Sequence, residues 1–536
     1  MRRWNGWGEE NISYPLSTSA LAFLNQSLGI GDTSADISFE DVLNSIPESR
    51  CPDHPLIQKD PAARLFHARG QSLPDWIALR SNMIAVFPDG VAFPADETQI
   101  DQLFRLARER ELTLIPYGGG TSVVGHINPQ PGDKPIVTVD LKKFSRLVNL
   151  DEDSQIAEIQ AGVTGPALES QLERYGFTLG HYPQSFEYST LGGWIATRSS
   201  GQQSRYYGRV EDYFLGGRVI TPIGRLEIAP HSASASGPDL RHLILGSEGR
   251  IGIITQASIK VRRIPEKDRY YGFYFHDWSH ALEAVRKIAQ SDLSISMIRL
   301  SDPLETEIIH LLSGKDKLLS MAKAGFRLLG FDHEKCLLIL GVTGNKQDTK
   351  YALSQARHII REHHGLFTGA VIGNIWKRSR FRTPYLRNNL WEAGYMLDTL
   401  ETEIQWSRVS IARDKIIRSI HASGETFNER ILVFSHLSHL YRTGASIYLT
   451  YLLRRTQDAE ENLHRWKTIK SAASMAVLDS GGTISHQHGV GRDHMAYLPI
   501  EKGEVCLKAL QQIIEIFDPD STLNPGILVS NQPGGN

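Results

Sequence analysis

The sequence predicts a mixed α and β protein with two large units and shorter segments at either end. The chain has 536 residues, and at roughly 100–200 residues per domain that exceeds a single unit. From residue 83 onward, apolar runs at strand spacing alternate with apolar stripes at helical spacing. After Arg262-Arg263-Ile264-Pro265 the pattern changes to longer helical periods alternating with strands, up to about residue 480. The expected division is a wrap over 1–80, a first unit over 81–265, a second over 266–480 and a closing segment over 481–536.

Composition narrows the class. Lys+Arg of 58 against Asp+Glu of 60 leaves a formal charge of −2, without the basic face that phosphate backbones require, so no nucleic-acid partner is expected. Hydrophobic residues at 41% and charged residues at 22% are globular values that exclude wholesale disorder. Cys51, Cys336 and Cys506 stand far apart, which excludes a disulfide framework or a zinc ribbon. Arg2-Arg3 are not followed by the apolar run of a secretory signal, no uninterrupted apolar stretch approaches the length of a transmembrane helix, and the C-terminus is not Ser-Lys-Leu. A cytoplasmic location is the expectation, with peripheral membrane association left open.

Taken in order, Ala85-Val86-Phe87 and Val91-Ala92-Phe93 read as short strands about the turn Pro88-Asp89-Gly90. Ile100, Leu103, Phe104 and Ala107 form a helical stripe behind the acidic entrance Asp96-Glu97. Leu112 to Pro116 is a buried strand running into Gly118-Gly119-Gly120-Thr121-Ser122, and Ile136–Leu141 is the next. Leu168, Leu172 and Tyr175 stripe a helix begun at Thr164 and closed by Gly176. In 444–452 the alternation places Ser446, Tyr448 and Thr450 on one face and Ala445, Ile447, Leu449 and Tyr451 on the other.

Glycines after a strand let backbone N–H groups approach a pyrophosphate without interference from Cβ. The loop is not a Rossmann fingerprint: that spacing needs glycine at Val123, and Asn128-Pro129-Gln130-Pro131-Gly132 cannot open a crossover helix. Alone it reads equally well as a tight turn. Two more clusters strengthen the cofactor reading: Ser189-Thr190-Leu191-Gly192-Gly193-Trp194 with Thr197-Arg198-Ser199-Ser200-Gly201, and Gly246-Ser247-Glu248-Gly249-Arg250-Ile251-Gly252-Ile253-Ile254.

These three loops resemble the FAD-binding domain of vanillyl-alcohol-oxidase-type (PCMH-type) flavoproteins. The resemblance implies an α+β fold: an FAD-binding domain of two subdomains, a mixed-sheet cap domain and a C-terminal helical segment returning to the site. It also implies FAD contacts from Pro116, Tyr117, Gly118, Gly119, Gly120, Thr121, Ser122, Ser185, Ser189, Thr190, Gly192, Thr197, Arg198, Ser199, Ser200, Glu248, Gly249, Gly252 and Ile254. Thr121 stands where this family commonly attaches its flavin through histidine, so non-covalent FAD is expected.

Trp4-Asn5-Gly6-Trp7-Gly8, His181 to Thr190, Ser296-Met297-Ile298-Arg299-Leu300, Tyr385-Leu386-Arg387, Gly444-Ala445-Ser446-Ile447-Tyr448 and Gly481 to Gly491 are similar to one branch, the alkyl-dihydroxyacetonephosphate synthase family of ether-lipid synthesis. By that resemblance Tyr448 is the acid/base tyrosine, and Arg299 and Arg387 are active-site arginines. The reaction implied exchanges the acyl chain of acyl-dihydroxyacetone phosphate, a lipid-phosphate substrate, for a fatty alcohol through a flavin N5 adduct.

Read from the residues alone, the plainer readings come first: Tyr448 a half-exposed strand tyrosine, Arg299 a partner for Asp302, and Arg387 an exposed helical cation. His486 and His488 serve as acid/base or phosphate-binding groups, as a metal-ligating pair, or as a solvent-facing pair; no metal is expected. The family shows three consecutive histidines here, and Gln487, which cannot shuttle a proton near neutral pH, takes the middle place. That departure keeps an alternative in view, an FAD-linked dehydrogenase or oxidase of a 2-hydroxy acid or polyol phosphate, with a non-catalytic flavin-binding protein as a third. The basic amphipathic stretch Leu318 to Leu329 is a candidate for peripheral membrane contact. A homodimer is a further expectation.

Overall fold

The computed structural model describes residues 1–312, 330–331 and 334–530; the membrane-contact stretch 318–329 lies outside the described residues. The first large unit holds two sheets. One orders Ile57–Gln58, Gly90–Ala92, Ile136–Asp140 and Thr113–Tyr117, with the last three strands mutually parallel. Helix Glu97–Glu109, capped by the Asp96 side chain, buries Ile100, Leu103, Phe104 and Ala107 against it, as the helical stripe requires. The other sheet is antiparallel and orders Leu147–Asp151, Ile156–Gln160, Ile253–Lys260, Phe214–Thr221 and Gly224–Ile228.

From Lys267 the chain enters a seven-stranded sheet. Its order is Leu366–Gly369, Lys267–Phe275, Cys336–Gly344, Ile295–Ser301, Leu432–Leu440, Gly444–Arg454 and Tyr395–Gln405. Helices Trp278–Gln290, Lys346–Glu362, Val409–Thr426 and Ala459–Asp479 pack one face of it in a single apolar cluster. Strand alternation sends Ile298, Leu300, Ile447 and Leu449 into that cluster and turns Met297, Arg299, Tyr448 and Thr450 to the other face, where a cavity lies.

The ends of the chain join the two units. Helix Thr18–Leu28 packs Leu24 and Leu28 against Leu390, Phe434 and Leu452 of the cap. The Asn388 side-chain amide receives the Trp7 backbone N–H (3.1 Å) and donates to the Trp7 carbonyl (2.9 Å). The Arg2 guanidinium donates to the Gly119 carbonyl at 2.6 Å. At the other end, helix Leu498–Phe517 places Ile514 in the core of the antiparallel sheet, and the Leu114 N–H reaches the Thr522 carbonyl at 2.8 Å.

Three local expectations are corrected. The α+β class stands, but the cap sheet is antiparallel in every pairing rather than mixed, because its neighbours meet through hairpins or through helical excursions that reverse direction. Ala85–Phe87 forms no strand: Phe87 is drawn into a cluster with Val42, Leu65 and Ile84, and the Val86 carbonyl accepts from the Arg69 side chain at 3.0 Å. Helix Gly165–Glu173 buries Leu168 and Leu172 but stops before Tyr175, which is exposed.

Candidate active site

A cavity of about 980 Å³ runs between the two units. Strand Thr113–Tyr117 delivers the triple-glycine loop to its wall. At Gly119 a Cβ would collide with the Tyr188 carbonyl, and Gly120 sits at φ +69°, so both positions demand glycine. Thr190 caps helix Leu191–Thr197 from the second loop. The third loop brings Glu248, whose two oxygens accept the Val490 and Gly491 N–H groups at 2.6 and 2.7 Å. His126 spans the first and third loops, with Nδ1 2.7 Å from the Ser122 hydroxyl and Nε2 3.0 Å from Glu248.

Every loop residue assigned to FAD by resemblance lines this cavity except Arg198. Arg198 adopts a left-handed backbone (φ 54°) to close its helix, and its guanidinium lies 3.8 Å from Glu211, outside the cavity wall. Three glycine-bearing loops converging on one cavity, with no room for Cβ at the tightest point, fit the pyrophosphate and ring of FAD.

The cap sheet supplies the opposite wall. Register places Glu401, Tyr448 and His436 directly across from one another on three adjacent strands. The Tyr448 phenol is pushed up to about 12, chiefly by burial and further by the Glu401 and Asp398 charges, against the Thr399 hydroxyl and Arg299. Arg299 does not pair with Asp302, which binds Ser435 and Arg413 instead. Its guanidinium reaches Glu305 at 2.8 Å and His436 Nε2 at 2.8 Å. Burial alone would raise Glu305, yet Arg299 and His436 bring it to about 2. Arg387 is no exposed cation: it lines the cavity, donates to the Gln71 carbonyl at 2.7 Å and lies 4.4 Å from the Trp76 ring centre. Burial lowers its guanidinium.

Behind Tyr448, the loop Gly481–Gly491 wraps Glu401, whose side chain is 0% exposed. Glu401 Oε1 accepts from the Ser446 hydroxyl at 2.5 Å and lies 2.9 Å from His486 Nδ1. Oε2 accepts from Gln487 Nε2 at 2.7 Å and lies 3.8 Å from His488 Nε2. Burial would raise this carboxyl, and the surrounding histidines hold it well below the usual carboxylate range. The Gln487 carbonyl receives the Ser200 N–H at 3.2 Å, so the amide ties the cap to the second FAD loop. Of the predicted pair, His488 lines the cavity; His486 sits behind it, accepting from Arg209 at 2.7 Å with the Tyr441 hydroxyl at 2.6 Å.

Glu401, His439 and His486 offer ligand atoms within 4.8 Å of one another. All three are already engaged, His439 Nδ1 with the Ser200 and Ser204 hydroxyls at 3.0 and 3.2 Å, and Arg209 places a fixed positive charge against His486. A second cation in this group would meet that charge. His436, His439, Glu305, Glu401 and Gln71 were not singled out from the sequence. The available signal is weak: Glu401 and His436 sit mid-strand among apolar residues, but beside other polar ones such as Asp398, Glu403, Ser435 and His439.

A glycine-lined cradle on one unit, faced by the polar side of an antiparallel cap sheet, defines an FAD-linked oxidase-type flavoprotein. Family models described as "FAD binding domain" and "FAD linked oxidases, C-terminal domain" match residues 88–229 and 264–528, and the protein is an FAD-binding one. The chain is 31% identical over 484 residues to alkyldihydroxyacetonephosphate synthase of Dictyostelium discoideum, covering 88% of this chain and 78% of that protein. The synthase of Trypanosoma brucei brucei is 30% identical over 486 residues, covering 89% of this chain and 79% of its own length. A solved structure of alkyldihydroxyacetonephosphate synthase superposes with a TM-score of 0.84 at 27% identity, covering 98% of both chains. The chain belongs to the alkyldihydroxyacetonephosphate synthase family.

Proposed function

We propose that this protein is an FAD-dependent alkyl-dihydroxyacetonephosphate synthase, exchanging the acyl chain of acyl-dihydroxyacetone phosphate for a fatty alcohol in ether-lipid synthesis. The observation that carries the reading is the composite cavity. Its glycine-lined end joins, past Tyr448, Arg299 and Arg387, to an apolar extension walled by Leu16, Phe23, Leu24, Ile308, Phe434 and Leu452. A phosphate head and a long alkyl chain need such neighbouring walls.

Pro116–Ser122, Ser189–Ser200 and Glu248–Ile254 would hold the FAD, which supplies an electron-accepting ring so that the C–O exchange proceeds without net oxidation. Arg299 and Arg387 bind the phosphate through their planar N–H forks. Tyr448 keeps its proton at neutral pH. It donates that proton to the departing carboxylate oxygen and, as the phenolate, takes one from the incoming alcohol, so protons balance over the cycle. Gln487, locked between Glu401 and Ser200, has its amide committed to positioning and carries no proton.

Purified flavoprotein given acyl-dihydroxyacetone phosphate and labelled hexadecanol should release one fatty acid per ether product and return to the oxidised flavin spectrum. Bleaching of the flavin without ether product would replace this reading with the oxidoreductase, which the match to FAD-linked oxidases and Gln487 favour. A cytoplasmic location with peripheral membrane contact completes the proposal. The membrane contact is supported by an apolar cavity rim: Leu312 and Ile375 line the cavity yet are 41% and 44% exposed, and Val371, one helical turn before Ile375, is 68% exposed. Vesicle co-sedimentation tests the contact, and light scattering tests the expected homodimer.

A further inference from the structure

The Tyr448 ring does not stand alone on the cavity wall. His436, directly across from it in register, lies flat against it with ring centres 4.9 Å apart and an interplanar angle of 16°. The imidazole edge is fixed at both nitrogens: Nε2 is 2.8 Å from Arg299 Nη1, and Nδ1 is 2.9 Å from Glu305 Oε1. A guanidinium only donates, so Nε2 accepts from Arg299, and Nδ1 carries the proton and donates to Glu305. Glu305 Oε1 also accepts from Arg299 Nη2 at 2.8 Å, closing a three-membered ring of contacts around a neutral histidine. Both Glu305 and His436 are nearly fully buried, at 4% and 7% exposed. The imidazole therefore has one orientation, set by helix Pro303–Leu312 on one side and strand Ile295–Ser301 on the other.

We propose that His436 is a positioning residue with two separable functions: its face is the platform that holds the Tyr448 ring, and its edge fixes the guanidinium of Arg299. The assignment rests on the synthase reading for what Tyr448 and Arg299 do, but not for the geometry. A stacked ring without hydrogen-bonding nitrogens would preserve the first function and abolish the second; a methyl group would abolish both. Stacked ring pairs and charged hydrogen bonds each contribute enough that losing either one is measurable.

The test compares His436→Phe and His436→Ala with the parent holoenzyme. His436→Phe should keep kcat within about threefold while raising KM for acyl-dihydroxyacetone phosphate about tenfold, the effect of some 1.4 kcal/mol on one binding group. His436→Ala should show the same KM and also lose kcat by about a hundredfold, a loss of the size expected for a misplaced acid/base. Equal kcat values in the two variants would overturn the platform, and an unchanged KM in His436→Phe would overturn the Arg299 tether. Two readouts need no turnover and so separate this inference from the synthase reading. One is flavin-monitored binding of dihydroxyacetone phosphate, which should weaken in both variants. The other is the ultraviolet titration of Tyr448, identified by difference against Tyr448→Phe, which should move towards the ordinary phenol value in His436→Ala and stay in His436→Phe. Parent-like values in both readouts would overturn the proposal even if no ether product forms.

Discussion

Replacing Glu401 by glutamine tests the histidine network at its centre. The carboxylate is fully enclosed and gives each oxygen to a different neighbour, Ser446 and His486 at Oε1 and Gln487 at Oε2. In Glu401→Gln one of those oxygens becomes an NH2 group. Placed towards Gln487 it sets two amide donors against each other; placed towards Ser446 it meets a hydroxyl hydrogen and the His486 edge. Gln487 can adapt only by turning its amide, which surrenders the Ser200 N–H. One buried charge-assisted hydrogen bond is lost in either arrangement, at about 1.5–3 kcal/mol. For a unit of 150–250 residues each kcal/mol moves the melting point about 2–4 °C, so a fall of roughly 3–12 °C follows. Thermal melts read by the fluorescence of released flavin measure it, with Glu403→Gln, two residues along the same strand, as control. The pH dependence carries a sign as well. A carboxyl held below its unfolded value stabilises above that value, so the gap between parent and variant should be full at pH 7 and should close only as pH falls well below the ordinary glutamate value of 4.5. A melting point within a degree of the parent, or a gap that widens on acidification, would refute the reasoning.

Gly119→Ala drives a methyl group into the Tyr188 carbonyl and should lower the flavin-to-protein absorbance ratio after desalting, whereas Gly132→Ala, with open space around it, should not. Tyr448→Phe should retain bound flavin while turnover falls about 10²–10⁴-fold. Asp493 is raised to about 7, mainly by burial and then by Asp75 and Asp398 against Lys470 and His126. A raised carboxyl favours the fold below its unfolded value and loses that contribution as pH climbs through 7, so Asp493→Asn should be more stable than the parent at pH 8.5, by at most about 4 kcal/mol, and should converge with it near pH 4. Acid precipitation should leave all the flavin in the supernatant, because Thr121 offers no attachment; flavin that pellets with the chain would contradict this.

What the sequence disclosed and what it withheld divide along one physical line. Local spacing was enough for the three glycine loops, for the stripe of helix Glu97–Glu109 and for the polar face of the Tyr448 strand, because each depends on residues a few positions apart. Glu401 and His436 are not legible locally because their relation to Tyr448 is one of strand register, set by pairings across 47 and 12 residues that no local period encodes. Local spacing points Arg299 to Asp302, three residues on, but the chain turns into helix Pro303–Leu312 there and presents Glu305 instead. Arg198 carried the right charge in the right loop, yet the end of its helix required a left-handed residue and turned the side chain aside.

The clasp formed by the N-terminal wrap bears on how the protein is assembled. Trp7 is held by Asn388 across a separation of 381 residues, and Arg2 grips the carbonyl of Gly119. A translating ribosome makes position 7 long before Asn388 exists, so the wrap cannot be fastened to the cap until most of the chain has been made. Closure of so long a loop is among the slower folding events. The cavity is therefore complete only once the cap has folded onto the wrap.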